Sequence, residues 1–189
     1  MMKENLEIEV KLACDDLGRL TRAGFELQPR KPRHFEDNWL LDDGAQTLFK
    51  RGAALRVRSV EGDGWLTYKG ASREAASSPL KVREEIETAV AEPEKVIALF
   101  ERLGYHRAFR YQKYRTTYTI RLDGAALEVA FDETPMGNFI EIEGDERRVL
   151  GILERAGFTA ADSIRESYPE LQARRCEARG VPLEDLIFG

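Results

Sequence analysis

Cysteine is scarce in this chain of 189 residues: only Cys14 and Cys176 are present, far apart in sequence. That rules out a disulfide framework, and no Cys/His cluster has zinc-ligand spacing. Histidine is equally scarce, with only His34 and His106, and neither is flanked by a metal-binding pattern. Both are read as structural or surface residues. No apolar run approaches the roughly 20 residues that cross a bilayer, and Met1–Leu6 lacks the apolar stretch of a secretion signal. A net positive charge is missing too: the formal charge is −5, which speaks against a general nucleic-acid binder but not against a small anionic ligand. Few cysteines and no leader predict a reducing, cytoplasmic setting.

What the chain does have is charge in quantity, 33% of residues, beside 42% hydrophobic residues, the balance of a globular protein. No composition break divides it, so residues 1–189 are expected to form one domain. Period-2 alternation dominates and predicts strands at Leu6–Ala13, Arg33–Leu41, Ala53–Val60, Gly64–Gly70, Leu80–Ala89, Ala108–Leu122, Ala126–Asp132 and Asn138–Gly144. Glu61-Gly62-Asp63-Gly64, Leu122-Asp123-Gly124 and Met136-Gly137-Asn138 have hairpin chemistry. Pro29–Arg33 reads as a connection and Ser72–Pro79 as a loop or flap. Helices are expected at Asp15–Ala23, Pro93–Leu103, Asp145–Ala156 and Ser163–Arg179, with Pro169 a candidate first turn of the last. Eight hairpin-linked strands predict an α+β fold in which an antiparallel meander closes into a barrel with helices packed outside.

Splitting each strand by parity separates apolar from charged residues. Ile8, Val10 and Leu12 oppose Glu7, Glu9 and Lys11; Leu55 and Val57 oppose Arg56 and Arg58; Ile140 and Ile142 oppose Glu141 and Glu143. One such strand alone describes a half-solvated sheet. The set does not, because charges of one sign recur at i and i+2, where a plain solvent face mixes signs. Helices also need the apolar faces to pack on. With those faces turned outward, the charges line the bore. The acidic lining is Glu7, Glu9, Glu85, Glu87, Asp132, Glu141 and Glu143, a hard-oxygen donor set suited to Mg²⁺ or Mn²⁺. The basic lining is Lys11, Arg56, Arg58, Lys69, Arg83, Lys113 and Arg115, groups that grip phosphate oxygens. A ligand that needs both is a metal-chelated polyphosphate.

These residues resemble a known family. Glu7-Ile8-Glu9-Val10-Lys11 matches the ExExK motif of the CYTH family, the triphosphate tunnel metalloenzymes, which include class IV adenylyl cyclases, thiamine triphosphatases and inorganic triphosphatases. Leu55–Arg58, Thr67–Lys69, Arg83–Glu87 and Lys113–Arg115 are similar to its later strands. Phe131–Glu143 resembles its closing hairpin, and Ser167–Leu171 its C-terminal Ser-Tyr segment. The resemblance runs in order from about residue 5 to 172. It implies a closed eight-stranded tunnel and turnover of a triphosphate. The His-Phe pair that precedes ExExK in class IV cyclases is replaced here by Met1-Met2, which favours hydrolysis over cyclisation.

The mechanism expected from this reading has one metal on Glu141 and Glu143, helped by Glu7 or Glu9. A second is held partly by Asp132 with Glu85 or Glu87 and activates a water. The basic residues hold the phosphates, Lys11 orients the water or meets the leaving oxygen, and Arg165 closes one end of the tunnel. Glu7, Glu9, Lys11 and Glu85 are thus the residues nearest the chemistry. The expected partner is a triphosphate-containing small molecule, with no nucleic acid and no membrane, acting on a monomer or homodimer. Alternatives are a cyclase and a non-catalytic polyphosphate or nucleotide sensor. Ser167-Tyr168 lacks the partner histidine of a nucleophile, Trp39 and Trp65 read as packing anchors, and Glu128 is placed at the rim, outside the site.

Overall fold

The computed structural model describes residues 5–73 and 78–189. Its strands are β1 (Leu6–Ala13), β2 (Gln28–Asp43), β3 (Ala54–Val60), β4 (Asp63–Lys69), β5 (Lys81–Val90), β6 (Tyr105–Leu122), β7 (Ala125–Thr134) and β8 (Gly137–Glu143). Tight turns decide most neighbours. Glu61 and Gly62 both take positive φ, 51° and 98°, as do Asp123 and Gly124, 49° and 74°. Two-residue turns of this hand match strand twist, so β3 pairs β4 and β6 pairs β7.

The strands close an antiparallel barrel in the order β1-β5-β4-β3-β2-β6-β7-β8. This differs from a simple meander. Two meanders, β2–β5 and β6–β8, are joined by the β2–β6 pairing and by β1, which lies between β5 and β8. The physical reason is α3 (Pro93–Arg102), which interrupts the hairpin sequence and carries the chain away from β5 before β6 begins. Gly64 makes room for that crossing. A Cβ there would sit 2.4 Å from Pro93 Cγ and 2.7 Å from the Val90 carbonyl oxygen.

The apolar strand faces point outward, under the helices. Val10, Leu12, Val129, Ile140 and Ile142 share a core with Leu20 of α1 (Gly18–Arg22) and with Val149, Ile152 and Leu153 of α4 (Glu146–Arg155). Leu41 and Val57 pack with Ile97 of α3. Each such side chain contributes about 1.5–3 kcal/mol by leaving water, so these faces anchor the barrel's hand.

Two expected elements shift and one element is new. The helix expected over Ser163–Arg179 begins later: α5 spans Tyr168–Arg179, with Pro169 in its first turn and a capping box between Ser167 and Glu170. Proline inside a helix loses a hydrogen bond and clashes, so the first turn is where it is tolerated. The chain before it runs extended, bridging Leu12 to Ser163. Pro29–Arg33, expected as a connection, is instead part of β2, with register shifts between Pro29 and Lys31 and between Lys31 and His34. A short helix, α2 (Thr47–Lys50), was not expected; the Asp42 carboxylate accepts the backbone N–H groups of Leu48 and Phe49 at 3.0 and 2.9 Å. The loop expected at Ser72–Pro79 lies partly outside the described residues, at 74–77. No helix among the described residues is long and apolar enough to cross a membrane.

Candidate active site

Inside the barrel is a cavity of about 750 Å³. Its wall includes Glu7, Glu9, Lys11, Arg56, Arg58, Lys69, Arg83, Glu85, Glu87, Lys113, Arg115, Glu141, Glu143 and Arg165. Strand parity therefore brings together every strand residue named from the sequence except Asp132, which is fully buried behind the wall, and Arg165 joins them from the segment before the last helix.

The walls are electrostatically unequal. In the closed ring β3 and β8 are separated by four steps in either direction, so they face each other across the bore. β3 presents Arg56 and Arg58; β8 presents Glu141 and Glu143. The acidic side has a row in register: Glu9 lies directly across from Glu143, and Glu143 directly across from Glu128. Like charges placed opposite each other on adjacent strands are destabilising. Burial, then repulsion from Glu7 and Glu128, pushes the Glu143 carboxyl up to about 7. Glu143 is enclosed by neighbouring groups but still reaches solvent, so water screens the repulsion and its energetic consequence is small.

On the basic side, Arg56 Nε and Arg58 Nε are buried without a hydrogen-bond acceptor. Buried N–H donors left unpaired are costly. Burial alone would lower Arg56, but Tyr111, Glu36 and Glu85 outweigh it and keep the guanidinium charged.

The remaining carboxylates are held in ion pairs. Lys69 Nζ lies 2.7 Å from both Glu7 and Glu85, Arg83 bridges Glu7 and Glu9 at 3.0 Å each, and Arg58 meets Glu87 at 3.1 Å. Arg115 and Lys11 both pair with Glu141. Asp132, 0% exposed, accepts from Lys113 at 2.8 Å, from Arg115 Nε at 2.6 Å and from the Tyr168 hydroxyl at 2.7 Å. It is a buttress that fixes two cations of the wall. Tyr168 remains a donor there, because burial and the adjacent Asp132 hold its hydroxyl well above the ordinary tyrosine range. Arg165 donates to the carbonyls of Ser78 and Leu80 at 2.6 and 3.3 Å, which ties the C-terminal segment to the chain entering β5.

Four residues of the barrel interior were not assigned to the site from the sequence. Glu36, 2% exposed, sits 3.3 Å from Arg58, 3.5 Å from Lys113 and 3.2 Å from His34 Nε2, whose other ring nitrogen donates to the Pro32 carbonyl at 2.8 Å. Lys81, a neighbour of Arg83 in parity, lines the cavity, and Glu128 belongs to its wall instead of the rim. Strand alternation carries the signal for all three. Tyr168 enters from α5, outside the strand pattern, and Lys11 Nζ lies 4.1 Å over its ring.

Glu36 yields a pH prediction. Burial would raise its carboxyl, but Lys113, His34, Arg115 and Arg58 hold it well below the ordinary 4.5. A depressed folded-state pKa gives stability that is complete above the unfolded value, about 4.3, and is lost as pH falls through the folded one. The melting temperature of Glu36→Gln should therefore fall less steeply than wild type between about pH 5 and 3; parallel curves would refute this.

Among the described residues no three of His, Cys, Asp and Glu form a closed metal-binding group. The ion pairs explain this, since most carboxylates already hold a Lys or Arg. The Glu9–Glu143–Glu128 row has the least counter-charge, with Arg83 on Glu9 its one ion pair among the described residues, and its all-oxygen donors are of the kind that suits a hard divalent cation.

Known proteins share this fold. A protein of Methanocaldococcus jannaschii, provisionally named an adenylate cyclase, is 28% identical over 181 residues, covering 88% of this chain and 98% of its own. A Vibrio parahaemolyticus structure with a similarly provisional cyclase title superimposes with a TM-score of 0.71 at 19% identity, over 89% of this chain and 98% of that one. A structure from Hippeastrum, titled as a provisional adenylyl cyclase with a dominant triphosphatase activity, does so at 0.60 and 20% identity, over 95% and 99%. The CYTH domain model matches residues 5–168, the whole barrel and the first residue of α5, and the chain belongs to the CYTH domain family.

Proposed function

We propose that this protein hydrolyses a triphosphate, inorganic or small organic, with the help of Mg²⁺ or Mn²⁺. The observation that carries the reading is the opposition, across one cavity, of a basic wall with Arg56 and Arg58 on β3 and a crowded carboxylate row centred on β8. A metal-chelated phosphate chain answers to both at once.

Arg56, Arg58, Lys69, Arg83, Lys113 and Arg115 hold the phosphate oxygens and stabilise the charge that develops as water attacks the terminal phosphorus and its bridging P–O bond breaks. Glu9, Glu143 and Glu128 would hold the cation, with Glu7 beside them. When the phosphates take up Lys11, Lys69 and Arg83, then Glu141, Glu85 and the remaining Glu7 oxygens are released as further ligands. A divalent cation bound there supplies charge neutralisation and activation of water. Asp132 and Tyr168 keep Lys113 and Arg115 in place, while Lys11, held between Glu141 and the Tyr168 ring, meets the leaving oxygen.

One observation favours an organic triphosphate, including the ATP of a cyclase. Leu48, Phe49, Leu55 and Leu183 give one end of the cavity an apolar wall, which matches a head group and not a phosphate. Incubation with inorganic triphosphate, ATP and thiamine triphosphate in Mg²⁺ or Mn²⁺ decides between them. Free phosphate supports hydrolysis, cyclic AMP supports the cyclase, and binding without either product overturns both. Arg56→Ala should raise KM by about 10–100-fold, the value of a charge-assisted contact, with kcat changing less. Steady-state kinetics check it.

A further inference from the structure

A second cavity of about 180 Å³ continues the bore beyond Arg58, Arg115 and Glu128, which line both. It opens beside the β3–β4 hairpin, where Arg30, Lys31, His34 and Trp65 complete its wall. We propose that this cavity is a subsite for a free phosphate ion, and, resting on the hydrolysis proposed above, that it takes the orthophosphate cut from the chain's end.

Three features of the cavity support this. Its charge is unbalanced. Arg30, Lys31, Arg58 and Arg115 line it against two carboxylates, Glu36 and Glu128, and Glu36 already answers to Lys113, Arg58 and His34. Its backbone is bent to build it. Adjacent residues of a regular strand point to opposite faces, yet Arg30 and Lys31 both line this cavity; the flanking register shifts re-aim them. Its size and walls exclude larger guests. The volume falls below the roughly 300–1,000 Å³ of pockets that take drug-sized organic ligands. Trp65 offers no open stacking platform either, because Lys31 Nζ and the Arg58 guanidinium lie 5.7 and 5.4 Å from its ring centre. What fits is one small, highly charged anion, and arginine forks suit tetrahedral phosphate oxygens.

The test uses the full chain carrying Trp39→Phe, so that Trp65 is the remaining tryptophan, titrated with orthophosphate in the absence of divalent metal. A saturable change in Trp65 fluorescence is expected. Arg30→Glu with Lys31→Glu should raise the apparent Kd about tenfold or more. Arg102→Glu with Arg147→Glu, an equal charge change at exposed positions on α3 and α4, should leave it within about twofold. No saturable change, equal effects of the two double variants, or displacement of phosphate by adenosine would each overturn the subsite. This readout needs no turnover. A protein that binds phosphate here but releases none from any triphosphate would refute the hydrolysis and its product, and leave the phosphate site standing.

Discussion

Asp132→Ala is expected to destabilise the protein by about 3–5 kcal/mol, because it strips the counter-charge from cations that stay buried. Lys113 is 2% exposed and has Asp132 at 2.8 Å, while its other carboxylate, Glu36, is 3.5 Å away. Arg115 loses its 2.6 Å contact, and the Tyr168 hydroxyl loses its acceptor in the same step. Alanine leaves three donors without their acceptor, and a water in the void can accept hydrogen bonds but brings no counter-charge. Asp132→Asn keeps an acceptor oxygen and should cost less. Asp132→Ala combined with Lys113→Met should recover part of the loss, because the unpaired charge is then gone. Urea denaturation of the four proteins measures this. A loss below about 1 kcal/mol, the range of surface pairs, would show that the buttress is not needed.

Glu143→Gln should act in the opposite sense on stability and still abolish function. Metal-stimulated turnover is expected to fall by at least about a hundredfold, more than the loss from an outer-shell partner. The melting temperature of the metal-free protein should rise, because a neutral amide relieves the repulsion from Glu9 and Glu128 across the strands. Such a trade between activity and stability is the mark of a site that holds like charges together for a ligand. Glu141→Gln contrasts with it: that carboxylate already pairs with Arg115 and Lys11, so its loss should reduce turnover without stabilising the fold. Thermal melts with and without Mg²⁺, beside phosphate-release rates, separate the two. Wild-type turnover in Glu143→Gln would remove the acidic row from the metal site.

The strands and their inward parity were legible because alternation is local: Ile8 and Glu9 cannot share a face of a regular strand. Glu36 and Lys81 obey the same rule, and the alternation of β2 and β5 contains them. Where the backbone leaves regularity, the rule fails. Arg30 and Lys31 break it through register shifts, and the sequence around Pro29 looks like a connection for the same reason.

The sequence alone therefore determined the charged interior and the helix-covered outer face, since both follow from residue order within one strand. Only the tertiary structure decided which carboxylates are spoken for. Asp132 and Glu143 read alike along the chain, yet one is enclosed by Lys113, Arg115 and Tyr168 while the other stands in a row of its own sign. The difference arises from strand order and from a helix docking outside the barrel, contacts between residues far apart in the chain, which no local pattern encodes.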